Sequence, residues 1–106
     1  MSEIQWSETE EQIAKQAFEK AYQRETFALI KIVREQASQI TELKDLWYLH
    51  DLLSTKRHEI DGKYDYDHSN FVFVLARLLK EGWLDHEELK GLNPKTVSKI
   101  SALARM

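Results

Sequence analysis

With 106 residues, 42% apolar and 31% charged, the chain is long enough for one domain, and its three Trp, four Tyr and four Phe argue against intrinsic disorder. Fifteen basic against eighteen acidic side chains leave a formal charge of −3, so no surplus of cations exists to neutralise a run of phosphates, and nucleic acid is not expected as a partner. The absence of cysteine removes disulfides, thiolate catalysis and cysteine-ligated zinc.

Residues 1–12 carry Glu3, Glu8, Glu10 and Glu11 with no base and no apolar stretch, which is neither a secretory nor a transit signal. The first 61 residues hold neither glycine nor proline and predict a long helix from about 8 to about 60. Ser7 with Glu10 three residues on forms a capping box at its start, and Ile4 and Trp6 stand where they can staple the incoming chain. Such a helix would run roughly 80 Å, so a bend is expected, placed within 36–41, where Gln-Ala-Ser-Gln-Ile-Thr is polar and partly β-branched. Tyr22, Leu29, Val33, Ile40 and Leu43 mark one face of the first arm, and Ala14, Phe18, Ala21, Ala28 and Ile32 a row beside it. The second arm continues with Leu43, Leu46, Leu49, Leu53 and Ile60, and Gly62, after Lys56, Arg57 and His58, reads as its stop.

Beyond position 61 the three glycines and Pro94 punctuate three shorter helices. Asp67 or Ser69 can cap one that runs to Glu81 before Gly82. Asp85 and Glu88 form a second capping box for a helix ending at Gly91, and Asn93-Pro94 opens the last with an asparagine cap and proline at the first helical position. The stretch 71–76 has strand propensity but no second strand to pair with, so helix is preferred. At six residues this longest apolar run falls far short of the ~20 that span a bilayer.

Glycines 20 and 9 residues apart cannot cradle a phosphate, and none of His50, His58, His68 or His86 stands in a Glu-x-x-His or His-Glu-x-x-His pattern. Asp61, Asp65, Asp67 and His68 read as a solvated, capping turn, since the glycine is misplaced for a calcium loop. His50-Asp51 suggests a general base, but helical neighbours point about 100° apart, so Asp51 is not expected to hold His50, and no serine, threonine or lysine sits in a pocket-like context nearby. Neither an enzyme nor a cofactor or metal protein is expected. More informative is a second stripe on the arm: Trp47, His50, Asp51, Ser54, Arg57 and His58 recur three and four apart beside the leucine stripe. An aromatic anchor with charges around it is the mix of a protein-interaction hot spot.

The blocks Trp47-x-x-His50-Asp51 and Lys56-Arg57-His58-Glu59-Ile60-Asp61-Gly62-Lys63-Tyr64-Asp65, with Phe73-Val74, Leu78 to Gly82, Lys20 to Glu25, Gln36 to Thr41 and the ending Ala102 to Met106, resemble the cyanobacterial fluorescence recovery proteins. The chain departs from that pattern at Asn70-Phe71 and Leu75. The resemblance implies an all-α protein of one domain spanning 1–106, with a long bent stalk (about 8–61) and a small helical head (about 66–106), paired as an antiparallel homodimer, with further pairing of dimers left open. It implies a non-enzymatic regulator that binds the photoactivated red form of the orange carotenoid protein, mainly at its C-terminal domain, and accelerates return to the orange form. Quenching at the phycobilisome then ends. Trp47, His50, Asp51, Arg57, Phe73 and Lys99 match the family's partner-binding positions, and Leu46, Trp47, His50 and Leu53 its dimer seam. The implied location is cytoplasmic, at the thylakoid surface through phycobilisome-associated partners. In a host lacking the carotenoid protein, the same chain would be a dimeric helical adaptor for another client.

Overall fold

The computed structural model describes residues 6–65 and 70–106. Among the described residues four α-helices follow in order, α1 (Glu8–Ser38), α2 (Leu43–Lys63), α3 (Phe71–Lys80) and α4 (Pro94–Ala104), with a 3₁₀ turn, His86–Leu89, between the last two. The fold is all-α, and 71–76, the one candidate strand, lies within helix α3. Its longest dimension is 54 Å, set largely by the 31 residues of α1 at ~1.5 Å per residue.

Local chemistry sets most boundaries. The amide of Glu10 donates to Ser7 Oγ at 3.1 Å while Ser7's own amide donates to Glu10 Oε1 at 3.3 Å, the reciprocal capping box. Trp6 packs on Phe71 of α3, with ring centroids 5.8 Å apart, and Ile4 lies outside the described residues. The expected bend is a full interruption: residues 39–42 leave the helix, and Asp45 refastens the chain by accepting from the amides of Thr41 and Glu42, both at 3.2 Å. The α3 helix ends as a Schellman turn, Trp83 N–H to Leu78 C=O and Gly82 N–H to Leu79 C=O, with Gly82 at φ +84°. Its proposed caps, Asp67 and Ser69, lie outside the described residues. Asp85 and Glu88 do pair, but close only one 3₁₀ turn before Gly91, and Asn93 caps α4 through its side chain on the Lys95 amide.

One expectation needs correction. Gly62 does not stop α2; the helix continues to Lys63, because that lysine is captured by carboxylates of α1 and of the residue following α3. The stretch expected as stalk, about 8–61, also shares a core with the stretch expected as head, about 66–106, through α1. Its first turns belong to the head core: Ala14, Ala17 and Ala21 are buried with Phe71, Val72, Leu75, Ala76, Leu78, Leu84, Leu89, Leu92 and Ile100. Small side chains on three successive turns let the head helices approach the α1 backbone closely, which a row of larger residues would prevent. Arg24 and Glu10 fasten the same packing from its edges. Arg24 grips Glu88 with two nitrogens, at 2.6 and 2.8 Å, and donates to the Trp83 carbonyl at 2.9 Å. Glu10 accepts from the Asn93 amide at 2.9 Å.

Candidate protein-interaction surface

The part of α1 beyond Glu25 and the whole of α2 form an arm whose apolar side chains are mostly uncovered. Of the leucine stripe, Leu49 and Ile60 are buried, whereas Leu46 and Leu53 are 45% and 40% exposed. Leu43, Tyr48, Phe27 and Ile30 are exposed as well. Phe27 and Ile30, with Lys31, Arg34, Glu35 and Ser38, line an open groove of about 590 Å³ along α1.

The predicted residues fall into two groups. On α2, Trp47 is exposed and meets the His50 ring edge-on at 6.3 Å between centroids. His50, Leu53, Ser54, Arg57, His58 and Asp61 together line a shallow depression of about 450 Å³. Arg57 leans toward Asp61, with Nε 3.8 Å from its carboxylate, leaving most of the guanidinium in water. Contrary to the expectation for adjacent helical positions, His50 Nδ1 and Asp51 Oδ1 do approach, to 3.4 Å, because both side chains are exposed and free to lean together. At that length, and open to water, the contact is weak and no pocket encloses it. Phe73 and Lys99 form the second group, exposed on α3 and α4. They enter none of the contacts that join the arm residues. Phe73 is therefore a surface residue, 58% exposed, and not part of the head core.

Sequence reasoning missed the joint beneath this surface. Nζ of Lys63 donates to Glu25 Oε2 at 2.7 Å and to Glu81 Oε1 at 2.6 Å, the Tyr64 hydroxyl donates to Glu25 Oε1 at 2.6 Å, and Arg77 Nε donates to Glu81 Oε2 at 2.9 Å. The Lys63 and Glu25 side chains are only 4% and 11% exposed. Burial, then the hydrogen bond to Glu25 and its charge, push the Tyr64 phenol well up, so it stays a donor. Burial alone would raise the Glu81 carboxyl, but Lys63 and Arg77 outweigh it and hold it below the usual range. A signal was present: Glu25 stands four residues after Ala21 in the apolar row of α1, where a charge has to be paired.

Known proteins resemble this chain in sequence and in fold. The model of the family described as photoprotection regulator fluorescence recovery protein matches residues 6–104. This chain belongs to the fluorescence recovery protein family. The fluorescence recovery protein of a Synechocystis strain is 56% identical over 105 residues, covering 99% of this chain and 96% of that one. Solved structures agree: the Fremyella diplosiphon fluorescence recovery protein superposes with a TM-score of 0.93 at 57% identity, and the Synechocystis protein with 0.92 at 57%, the former covering 96% of this chain and all of its own. The family's role is regulation of photoprotection. As for membranes, no helix among the described residues is long and apolar enough to cross one.

Proposed function

We propose that this chain binds the light-activated red form of the orange carotenoid protein, chiefly at its C-terminal domain, and speeds return to the compact orange form, so ending quenching at the phycobilisome. The observation that carries the reading is the uncovered arm: Trp47, His50, Asp51 and Arg57 stand exposed together on one helix, in a member of a family of photoprotection regulators. The mechanism is non-enzymatic. Touching the partner with the arm, and again with Phe73 and Lys99 of the head, replaces a slow search between separated domains by a high effective concentration, which lowers the barrier to closure. Acceleration alone needs no preference for the orange form; shifting the equilibrium would. The site of action is the cytoplasmic side of the thylakoid, reached through the partner.

The arm also supports a homodimer. Leu46 and Leu53 are half-exposed beside Trp47 and His50, and a second chain laid antiparallel along α2 would remove them from water. The dark absorbance decay of photoactivated carotenoid protein, with and without substoichiometric amounts of this chain, tests the function. Strong acceleration that Arg57→Leu weakens is expected. A folded dimer that leaves the decay unchanged would reject the reading and point to another protein client.

A further inference from the structure

We propose that Lys63 is a positioning residue that fixes the angle between arm and head, and thereby holds the two halves of the partner-binding surface in register; the second clause rests on the function proposed above. Lys63 ends α2, and its ammonium lies between a carboxylate of α1 and one just beyond α3. All four carboxylate oxygens at this joint are occupied: those of Glu25 by Lys63 and Tyr64, those of Glu81 by Lys63 and Arg77. The Nζ also lies 5.5 Å from the centre of the Tyr64 ring. Two chain segments, 38 and 18 residues from Lys63 in sequence, therefore meet at its one buried nitrogen.

The lever arm gives this joint its functional meaning. Trp47 lies sixteen residues up the helix from Lys63, about 24 Å away along the axis, so a tilt of about 10° at the joint would displace it by about 4 Å. A displacement of that size separates the arm contact from Phe73 and Lys99 on the head and removes the advantage of holding the partner at two places at once. Leu49 and Ile60 are the only other side chains of α2 that are buried apolar residues, and apolar packing alone tolerates sliding better than a directed ion pair does. A buried pair is a poor source of stability but a well-suited determinant of geometry.

Three forms of the full chain test this: the parent, Lys63→Arg, which keeps both ion pairs, and the double variant Lys63→Met with Glu25→Gln, which removes both charges together and leaves Glu81 paired with Arg77. The chain has no native cysteine, so Thr55→Cys on the arm and Ser98→Cys on the head accept spin labels in each form, diluted with unlabelled chain. The double variant should keep its helix content but broaden the arm-to-head distance distribution, while Lys63→Arg keeps it narrow. In the recovery assay the concentration of double variant giving half-maximal acceleration should rise about tenfold, with the rate at saturation preserved and Lys63→Arg restoring the parent value. A distance distribution as narrow as the parent's would overturn the clamp. A broadened distribution with unchanged recovery would overturn its role in register. If the parent itself fails to accelerate recovery, the functional reading and the register claim fall together, and the distances alone decide whether Lys63 sets the angle.

Discussion

The head and the arm use the same kinds of residue for opposite ends. In the head, Leu75, Leu78, Leu89 and Ile100 are completely buried, and even Ala14, Ala17 and Ala21 of α1 are spent on close packing. In the arm, Leu43, Leu46, Trp47, Tyr48, Phe27 and Ile30 remain in contact with water, although each has the size and apolarity of a core residue. A chain of this length has few large apolar side chains to spare, so a surface that keeps so many of them uncovered is a surface adapted to another chain. The comparison separates a head whose apolar side chains are enclosed from an arm that, in the function proposed above, is completed by what it binds.

Breaking the head should cost most. Leu75→Ala leaves a cavity in a fully enclosed site and should lower stability by about 2–5 kcal/mol in urea unfolding. Gly91→Ala comes next, because Gly91 has φ +101° and a Cβ there would stand 2.5 Å from Ile13 Cδ1. A loss of more than about 1 kcal/mol is expected, read by the same urea midpoint. Acid should act on the head's joints in a smaller, graded way. Hydrogen bonds from the Asn93 and Ser7 amides hold the Glu10 carboxyl below its ordinary value of 4.5, the Arg24 guanidinium does so for Glu88, and Lys63 with Arg77 outweighs burial at Glu81. Because the folded values are lowered, the unfolded chain binds more protons in this window. The contribution is therefore complete above the ordinary value and lost as pH falls through the folded ones. The urea midpoint should hold down to about pH 5 and fall progressively below it, and a flat profile there would show that these joints carry no stability. Smallest of all, Arg57→Leu on the arm should shift the melting midpoint by no more than about 2 °C while recovery is impaired, which sharpens the separation of the two regions.

What could be read in the sequence was what is local. Ser7 with Glu10, Asp85 with Glu88, and Asn93-Pro94 act over three residues or fewer, and each appears in the structure where the pattern places it. The weak stretch before Thr41 was legible for the same reason, although the chain there breaks instead of bending. Long-range capture was not legible. Nothing near Gly62 in sequence announces that Lys63, held by Glu25 and Glu81, will carry the helix past it. Periodicity also could not divide the α1 row into a part buried by the head and a part left open, since Ala14 and Ile32 fall on one face and differ only in what lies opposite. For the candidate surface, residue types marked Trp47, His50 and Arg57, but the exposure of Leu46 and Leu53 depends on how α2 lies and had to be seen.

The central claim, that the arm's open surface is closed by a second copy of the chain, is tested most directly by the molecular mass in solution of the parent and of Leu46→Glu, measured by light scattering with helix content followed in parallel. A dimeric parent and a helical, monomeric variant are predicted, because a carboxylate enclosed in that seam would be left without a partner. A variant that remains a dimer with the parent's mass would contradict the account and place the seam elsewhere.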